Sequence, residues 1–203
     1  MVEHYFSKEP KVPGDPFQFK AELRGRTYLF YTDAGVFSRK KIDFGTRLLI
    51  ETLPCRPGDQ VLDLGCGYGP LGIAAADLVA PDGHVYLLDI NKRGVELARR
   101  NLEENKISNA TALVSDGLEA VPGLKFDWVL SNPPIRAGKI VVHRLLKEAY
   151  SALRSGGCLL IVVRVKQGAK SLQKFLTDLA GSCRILKRKS GFRVIVCCKD
   201  LPA

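Results

Sequence analysis

The stretch Asp63-Leu64-Gly65-Cys66-Gly67-Tyr68-Gly69-Pro70-Leu71-Gly72 sets an acidic side chain two residues ahead of a run of glycines. Glycines at such a point let the chain turn sharply and let a ligand approach main-chain N–H groups before a helix. Gly67-x-Gly69-x-x-Gly72 satisfies the dinucleotide fingerprint literally, but a strand ending at Leu64 makes Gly65 the first glycine of the turn. Counted from Gly65, the third place falls on Pro70, which suits the first turn of a helix rather than close packing. Asp63 would repel a pyrophosphate and attract an ammonium group, so the pattern argues against a nicotinamide dinucleotide. Asp89 follows the next apolar run, where a carboxylate can accept from both hydroxyls of a ribose. Asp116, in Ser115-Asp116-Gly117, follows the third, placed to accept from an adenine amino group. In register beside a glycine loop, the three outline a nucleoside carrying an amine, although any one of them alone also reads as a helix N-cap.

A fourth apolar run ends Leu130-Ser131-Asn132-Pro133-Pro134-Ile135-Arg136. Consecutive prolines fix the backbone and remove two donors, which leaves the carbonyls before them to accept from a ligand. Asn132 adds a side-chain acceptor at the same place. The exocyclic amine of a nucleobase is a poor nucleophile because its lone pair is delocalised into the ring. Two acceptors aimed at its hydrogens favour pyramidalisation and direct the lone pair at an electrophile, an effect of position and electrostatics rather than strong base catalysis.

The elements that must hold these residues read as alternating strands and helices. Short apolar strands fall at 60–64, 84–89, 110–114, 126–130 and 158–163, with helices near 43–53, 71–79, 92–105, 139–153 and 171–179. In the helix from 92, Val95, Ala98 and Leu102 recur at spacings of three and four. Strands alternating with helices imply a mainly parallel sheet covered on both faces. The last two strands, 183–186 and 192–198, are joined through Ser190-Gly191 by a link too short for a crossover, so they pair antiparallel. Ahead of the alternation, 17–23 and 27–31 read as a hairpin turning at Arg24-Gly25-Arg26, after a proline-dense loop at 10–16. The organisation expected is an N-terminal extension over 1–31 and one α/β domain over 32–203.

Charge is unevenly placed. Residues 136–203 carry 15 basic and 3 acidic side chains, whereas 61–135 carry 6 and 10. A folded segment with that excess presents a positive face suited to a polyanion such as nucleic acid. No apolar run approaches the roughly 18 to 20 residues of a membrane span, and Met1-Val2-Glu3-His4-Tyr5-Phe6 shows no leader pattern, so a cytoplasmic address is expected. Cysteines 55, 66, 158, 183, 197 and 198 form no metal-type spacing with one another or with the three histidines, and are expected to be reduced, with 158, 183, 197 and 198 acting as small hydrophobes.

On Asp63-x-Gly65-x-Gly67-x-Gly69, Asp89, Asp116 and Asn132-Pro133-Pro134, the chain resembles the class I S-adenosylmethionine-dependent methyltransferases over about 32–199. That resemblance implies a Rossmann-like sheet of seven strands, the last antiparallel. It implies a cofactor site formed by Thr46, Asp63, Gly65, Cys66, Gly67, Asp89, Ile90, Asp116, Gly117 and Asn132, with Asn132, Pro133 and Pro134 carrying the chemistry. Within the family, Gly35-Val36-Phe37-Ser38, Asp43-Phe44-Gly45-Thr46 and Asn132-Pro133-Pro134-x-x-x-Gly138 are similar to the small-subunit ribosomal RNA guanine-N2 methyltransferases. Those proteins usually carry an aromatic residue after the prolines; here Ile135 stands there, Arg136 follows, and Phe37 is the candidate stacking platform. The resemblance thus implies ribosomal RNA or a small-subunit particle as partner. Phe37, Ile135, Arg136, Lys139, Arg144, Lys187, Arg188, Lys189 and Arg193 are the side chains expected to meet it. Other readings of the same pattern are methylation of protein glutamine or of DNA adenine N6, and an RNA-binding module without activity.

Overall fold

The computed structural model describes residues 13–200. The leader reading at Met1–Phe6 and the first half of the proline-dense loop lie outside those residues. A hairpin of β1 (Phe17–Leu23) and β2 (Arg26–Thr32) comes first. Seven strands then form one sheet: β3 (Gln60–Leu64), β4 (His84–Asp89), β5 (Ala110–Val114), β6 (Phe126–Ser131), β7 (Leu153–Arg164), β8 (Arg184–Lys189) and β9 (Phe192–Cys198). Between them run α1 (Phe44–Thr52), α2 (Pro70–Val79), α3 (Lys92–Glu104), α4 (Lys139–Ser151) and α5 (Ala169–Ala180). The strand order is β5-β4-β3-β6-β7-β9-β8, and β9 alone runs against the other six. This is the Rossmann-like architecture expected.

Why the middle of the sheet reads as unbroken apolar sequence is clear at β7. Leu160 and Val162 face the core shared with α1, α2, α3 and the hairpin, while Leu159, Ile161 and Val163 face α4 and α5. A strand covered on both sides has no polar face to show. Each such side chain contributes about 1.5–3 kcal/mol on burial.

The hairpin joins the first of these cores rather than standing apart. Phe30 is fully buried, and its ring lies 5.9 Å from that of Tyr68, edge-on, in the glycine loop. Two asparagines one helical turn apart, Asn101 in α3 and Asn105 at its C-cap, clasp the outer edge of β2. Asn101 accepts from Tyr31 N at 2.7 Å and donates to Tyr31 O at 3.0 Å; Asn105 does the same with Leu29 at 2.9 and 2.8 Å. Asn101 also donates to Tyr68 O at 2.8 Å, so one side chain ties hairpin, helix and glycine loop together.

Several expectations are corrected. β7 begins at Leu153 instead of 158, because Leu153 already pairs with Phe126 of β6. The register then shifts before Cys158 pairs with Trp128, and Gly157 passes so close to Phe126 that an added Cβ would lie 2.8 Å from its carbonyl oxygen. Ser155-Gly156-Gly157 is therefore an irregular part of the strand, not a turn before it. β8 runs on to Lys189, since an exposed edge strand needs no apolar side chains to persist. Four cysteines expected to be reduced form disulfides, Cys158–Cys198 and Cys183–Cys197. Cys158 and Cys198 stand directly opposite in the antiparallel β7–β9 pair, their Cα atoms 4.0 Å apart. Cys55 and Cys66 remain free and buried. Among the described residues no helix is long and apolar enough to cross a membrane.

Candidate active site

The chain leaves β3 outward through β4 to β5, then returns to β6 on β3's other side. Ligands of open α/β sheets bind outside the carboxyl ends of the strands where the order reverses. Here a cavity of about 300 Å³ opens at that point, near the lower end of the range for small-molecule sites. Asp63, Asp89, Asp116 and Asn132 all line it, with Gly65, Cys66, Gly67, Ile90, Gly117, Thr46, Pro133 and Pro134. Apolar walls come from Ile42, Leu64, Leu71, Leu88, Val141 and Leu145.

Local geometry explains each position. Gly67 turns with φ 56°, and its N–H donates to Asp89 Oδ2 at 2.8 Å. Asn91 N donates to the other Asp89 oxygen at 2.8 Å, so this carboxylate organises the loop as well as facing the cavity. Gly69 caps α2 and Pro70 starts it; Gly69 has no side chain to take the helix's free N–H groups, and Asp63 Oδ2 instead accepts from Gly72 N at 2.8 Å. The close-packing glycine is Gly72, not the position of Pro70, because a Cβ there would lie 2.5 Å from Leu87. The third glycine of the literal pattern thus lets α2 pack closely on β4.

Asp63 is 1% exposed, and its Oδ1 has no protein partner among the described residues. Burial pushes its carboxyl up to about 7, against the Gly72 N–H and with help from the Asp89 charge. Burial likewise raises Asp89, offset in part by N–H donors from Asn91, Gly67 and Ile90. A buried acid beside a half-buried one favours a cationic ligand, which relieves both.

At the end of β6, Ser131 Oγ donates to Leu64 O at 2.7 Å and holds β6 to β3 beside the cavity. Asn132 Nδ2 donates to Asp43 Oδ2 at 3.1 Å and to Thr46 Oγ1 at 2.9 Å, both at the start of α1. The carbonyl of Pro133, expected to be open, takes the N–H of Ile135 at 2.8 Å. That contact closes a tight turn at Pro134 (φ −74°, ψ 75°), leaving Pro133 one lone pair for a ligand. A 3-10 turn, Ile135–Ala137, then leads to α4.

The residues expected to meet a partner divide into groups. Phe37 is 39% exposed at the cavity wall, in the loop between β2 and α1 that roofs the site. Ile135 is half-buried against the α4–α5 core, whereas Arg136 and Lys139 are exposed beside the mouth. Arg144 is exposed at the cavity rim and bridges Asp116 Oδ1 at 2.5 Å and Glu148 at 2.8 Å. It is therefore tied to Asp116, which lines the cavity, and not free for the outer basic face. Lys187, Arg188 and Lys189 are exposed on β8, and Arg193 donates to Gln173 at 3.3 Å. Sequence reasoning did not single out three residues near this edge. Phe44, 39% exposed, lies 5.4 Å from Phe192, and the Arg164 guanidinium lies 5.9 Å over the Phe192 ring. Phe44 opens α1, Phe192 opens β9 and Arg164 ends β7, so only the fold brings the three together.

A seven-stranded sheet with one reversed strand, bearing acids at three successive strand ends and Asn-Pro-Pro at the fourth, is the architecture of a methyltransferase domain. The chain belongs to the methyltransferase small domain family, whose model matches residues 27–196. It is 39% identical to the Bacillus subtilis protein YbxB, itself uncharacterized, over 96% of this chain and 98% of that one. It is 35% identical to ribosomal RNA small subunit methyltransferase C of Pseudomonas entomophila, over 79% of this chain and 48% of that protein. The 16S rRNA N2 G1207 methyltransferase of Thermus thermophilus, solved with AdoMet and guanosine, superposes with a TM-score of 0.82 at 30% identity. That match covers 94% of this chain and 52% of the other, so the chain spans about half the length of these two ribosomal RNA enzymes.

Proposed function

We propose that this protein transfers a methyl group from S-adenosylmethionine to an exocyclic amine of an RNA base, guanine N2 of small-subunit ribosomal RNA. The observation that carries the reading is Asn132-Pro133-Pro134 opening into the same cavity as Asp63, Asp89 and Asp116. The donor set suits the cofactor: Asp63 offers its unpartnered oxygen to the amino end, Asp89 accepts from the ribose, and Asp116 with Gly117 borders the base. When bound, S-adenosylmethionine supplies an electrophilic methyl group on a positively charged sulfur. Asn132 Oδ1 accepts one N–H of the target amine and the free lone pair of the Pro133 carbonyl accepts the other, so the nitrogen's own pair points at the methyl. The likeness to the Thermus enzyme, held with AdoMet and guanosine, supports the same pairing here.

Support for RNA as substrate comes from how β9 is placed. Because it runs antiparallel, its first residues stand at the carboxyl edge, where Phe192 pairs with Arg164 and Lys189, and Arg193 with Arg188. Arg164, Lys187, Arg188, Lys189 and Arg193, one part of the basic excess of the last third, are thereby brought to the edge that holds the site. Phe44 and Phe192, flanked by Arg164, offer surfaces on which unpaired bases stack.

The test is mass mapping of modified nucleosides in ribosomal RNA from cells with and without the gene. Loss of one methyl from a small-subunit guanosine is expected; unchanged ribosomal RNA would overturn the substrate assignment. The cofactor site has its own check. A cationic amine takes Asp63 ionised, and below pH about 7 that carboxyl must first release its proton. Calorimetry between pH 5 and 7 is expected to show S-adenosylmethionine affinity falling as pH falls, by up to about tenfold per unit. Asp63→Asn should flatten this dependence, and an equally flat wild-type curve would remove Asp63 from the amino-end role.

A further inference from the structure

We infer that Asp43 and Thr46 are positioning residues for Asn132, deciding which end of its amide faces the substrate amine. The inference rests on the catalytic reading of Asn132 given above. An asparagine amide carries donors at one end and an acceptor at the other, and a half-turn of the terminal group exchanges them. Only the oxygen end serves a reaction in which the base amine donates.

The surroundings of Asn132 leave one orientation. The Asp43 carboxylate has acceptors only. Thr46 Oγ1 gives its single hydrogen to Asp43 Oδ2, so toward Asn132 it too is an acceptor. A flipped amide would set its oxygen against two oxygens, at 2.9 and 3.1 Å, and lose both hydrogen bonds. Nδ2 is therefore fixed toward α1, and Oδ1 is turned away from those two groups, on a residue that lines the cavity.

Asp43 is itself held. It is the N-cap of α1, its Oδ1 accepting from Gly45 N at 2.8 Å and its Oδ2 from Thr46 N at 3.1 Å. The cap that starts the helix thus also sets the amide, and the Thr46 hydroxyl bridges the two. Acceptance from Nδ2 by a carboxylate further polarises the amide and strengthens its oxygen as an acceptor. Thr46, implied by resemblance to be a cofactor residue, is on this geometry a support for Asn132. It is 7% exposed and its hydroxyl is committed on both sides.

The experiment is single-turnover methylation of in vitro transcribed small-subunit ribosomal RNA with radiolabelled S-adenosylmethionine. Thr46→Val, which keeps the shape without the hydroxyl, and Thr46→Ser, which keeps the hydroxyl, are each made in wild-type and Asn132→Ala backgrounds. Thr46→Val is expected to lower the transfer rate about tenfold, the scale of one hydrogen bond lost, with RNA KM and cofactor Kd unchanged. Thr46→Ser should restore the rate, and Thr46→Val should add no loss once Asn132 is alanine, because the effect passes through that amide. Wild-type rates in Thr46→Val, equal losses in both backgrounds, or a serine variant as slow as valine would overturn the inference while leaving Asn132 catalytic. Wild-type rates in Asn132→Ala would instead overturn the reading beneath it. Should Thr46→Val not fold, Asp43→Asn keeps a competent cap but can offer an NH2 to the amide, and the same rate loss and the same dependence on Asn132 are expected.

Discussion

Asn132→Ala is expected to slow methyl transfer by about 10²-fold or more while S-adenosylmethionine and RNA affinities change little. The reason is where the lost interaction acts. Oδ1 meets an amine whose nitrogen becomes pyramidal only as the reaction proceeds, so its contribution is greatest in the transition state and small in the bound complex. Structure adds a qualification about the supports. Alanine also leaves Asp43 and Thr46 without the donor they share, which loosens the start of α1 but leaves Asp63 and Asp89 on strands β3 and β4 untouched. Asn132→Asp is the companion variant. It keeps an acceptor but faces the Asp43 carboxylate with a second charge, so it should fall between wild type and alanine. Wild-type turnover in Asn132→Ala under saturating cofactor would mean that another group, Arg136 being nearest in sequence, carries the alignment.

The second large effect is expected from salt. If Arg136, Lys139, Arg164, Lys187, Arg188 and Lys189 each meet a phosphate, RNA affinity should fall with a log–log slope of roughly −4 to −5, several-hundred-fold between about 50 and 200 mM. Arg164 joins that set, while Arg144, committed to Asp116 and Glu148, and Arg193, which donates to Gln173, are left out of it. Changing Lys187, Arg188 and Lys189 together to glutamine should flatten the slope by roughly 2 to 3 and leave cofactor affinity as it was. Filter binding over a salt series reads both. Affinity independent of salt would make the basic edge a solvated surface and nothing more.

The sequence made the architecture legible because strand ends announce themselves. Asp63, Asp89 and Asp116 each follow a short apolar run, and the topology returns all three to one edge. What it concealed was the interplay of distant segments. Asp43 and Thr46 meet Asn132 across 89 and 86 residues, and nothing in either segment signals the other. Cys158 and Cys198 could be paired only by knowing that β9 inserts between β7 and β8. The second half of β8 is silent in sequence because Lys187-Arg188-Lys189 carries no apolar residue, as suits a strand that is exposed and paired on one side only. Arg144 read as one more cation of a basic segment; α4 turns it toward the acid of β5's end, where its charge is spent locally.

The asparagine pair at the end of α3, Asn101 and the C-cap Asn105, has a consequence for self-association. A two-stranded hairpin presents two raw edges, each a template on which another chain can add a strand. Asn101 and Asn105 occupy the donors and acceptors of Leu29 and Tyr31 as a neighbouring strand would, and the rise of one helical turn is close enough to two strand residues for both amides to reach. A helix thus closes a sheet edge with side chains in place of main chain. Polymerisation through β2 is blocked, so any third strand, from a second copy or an extended peptide, is left with β1 alone to join.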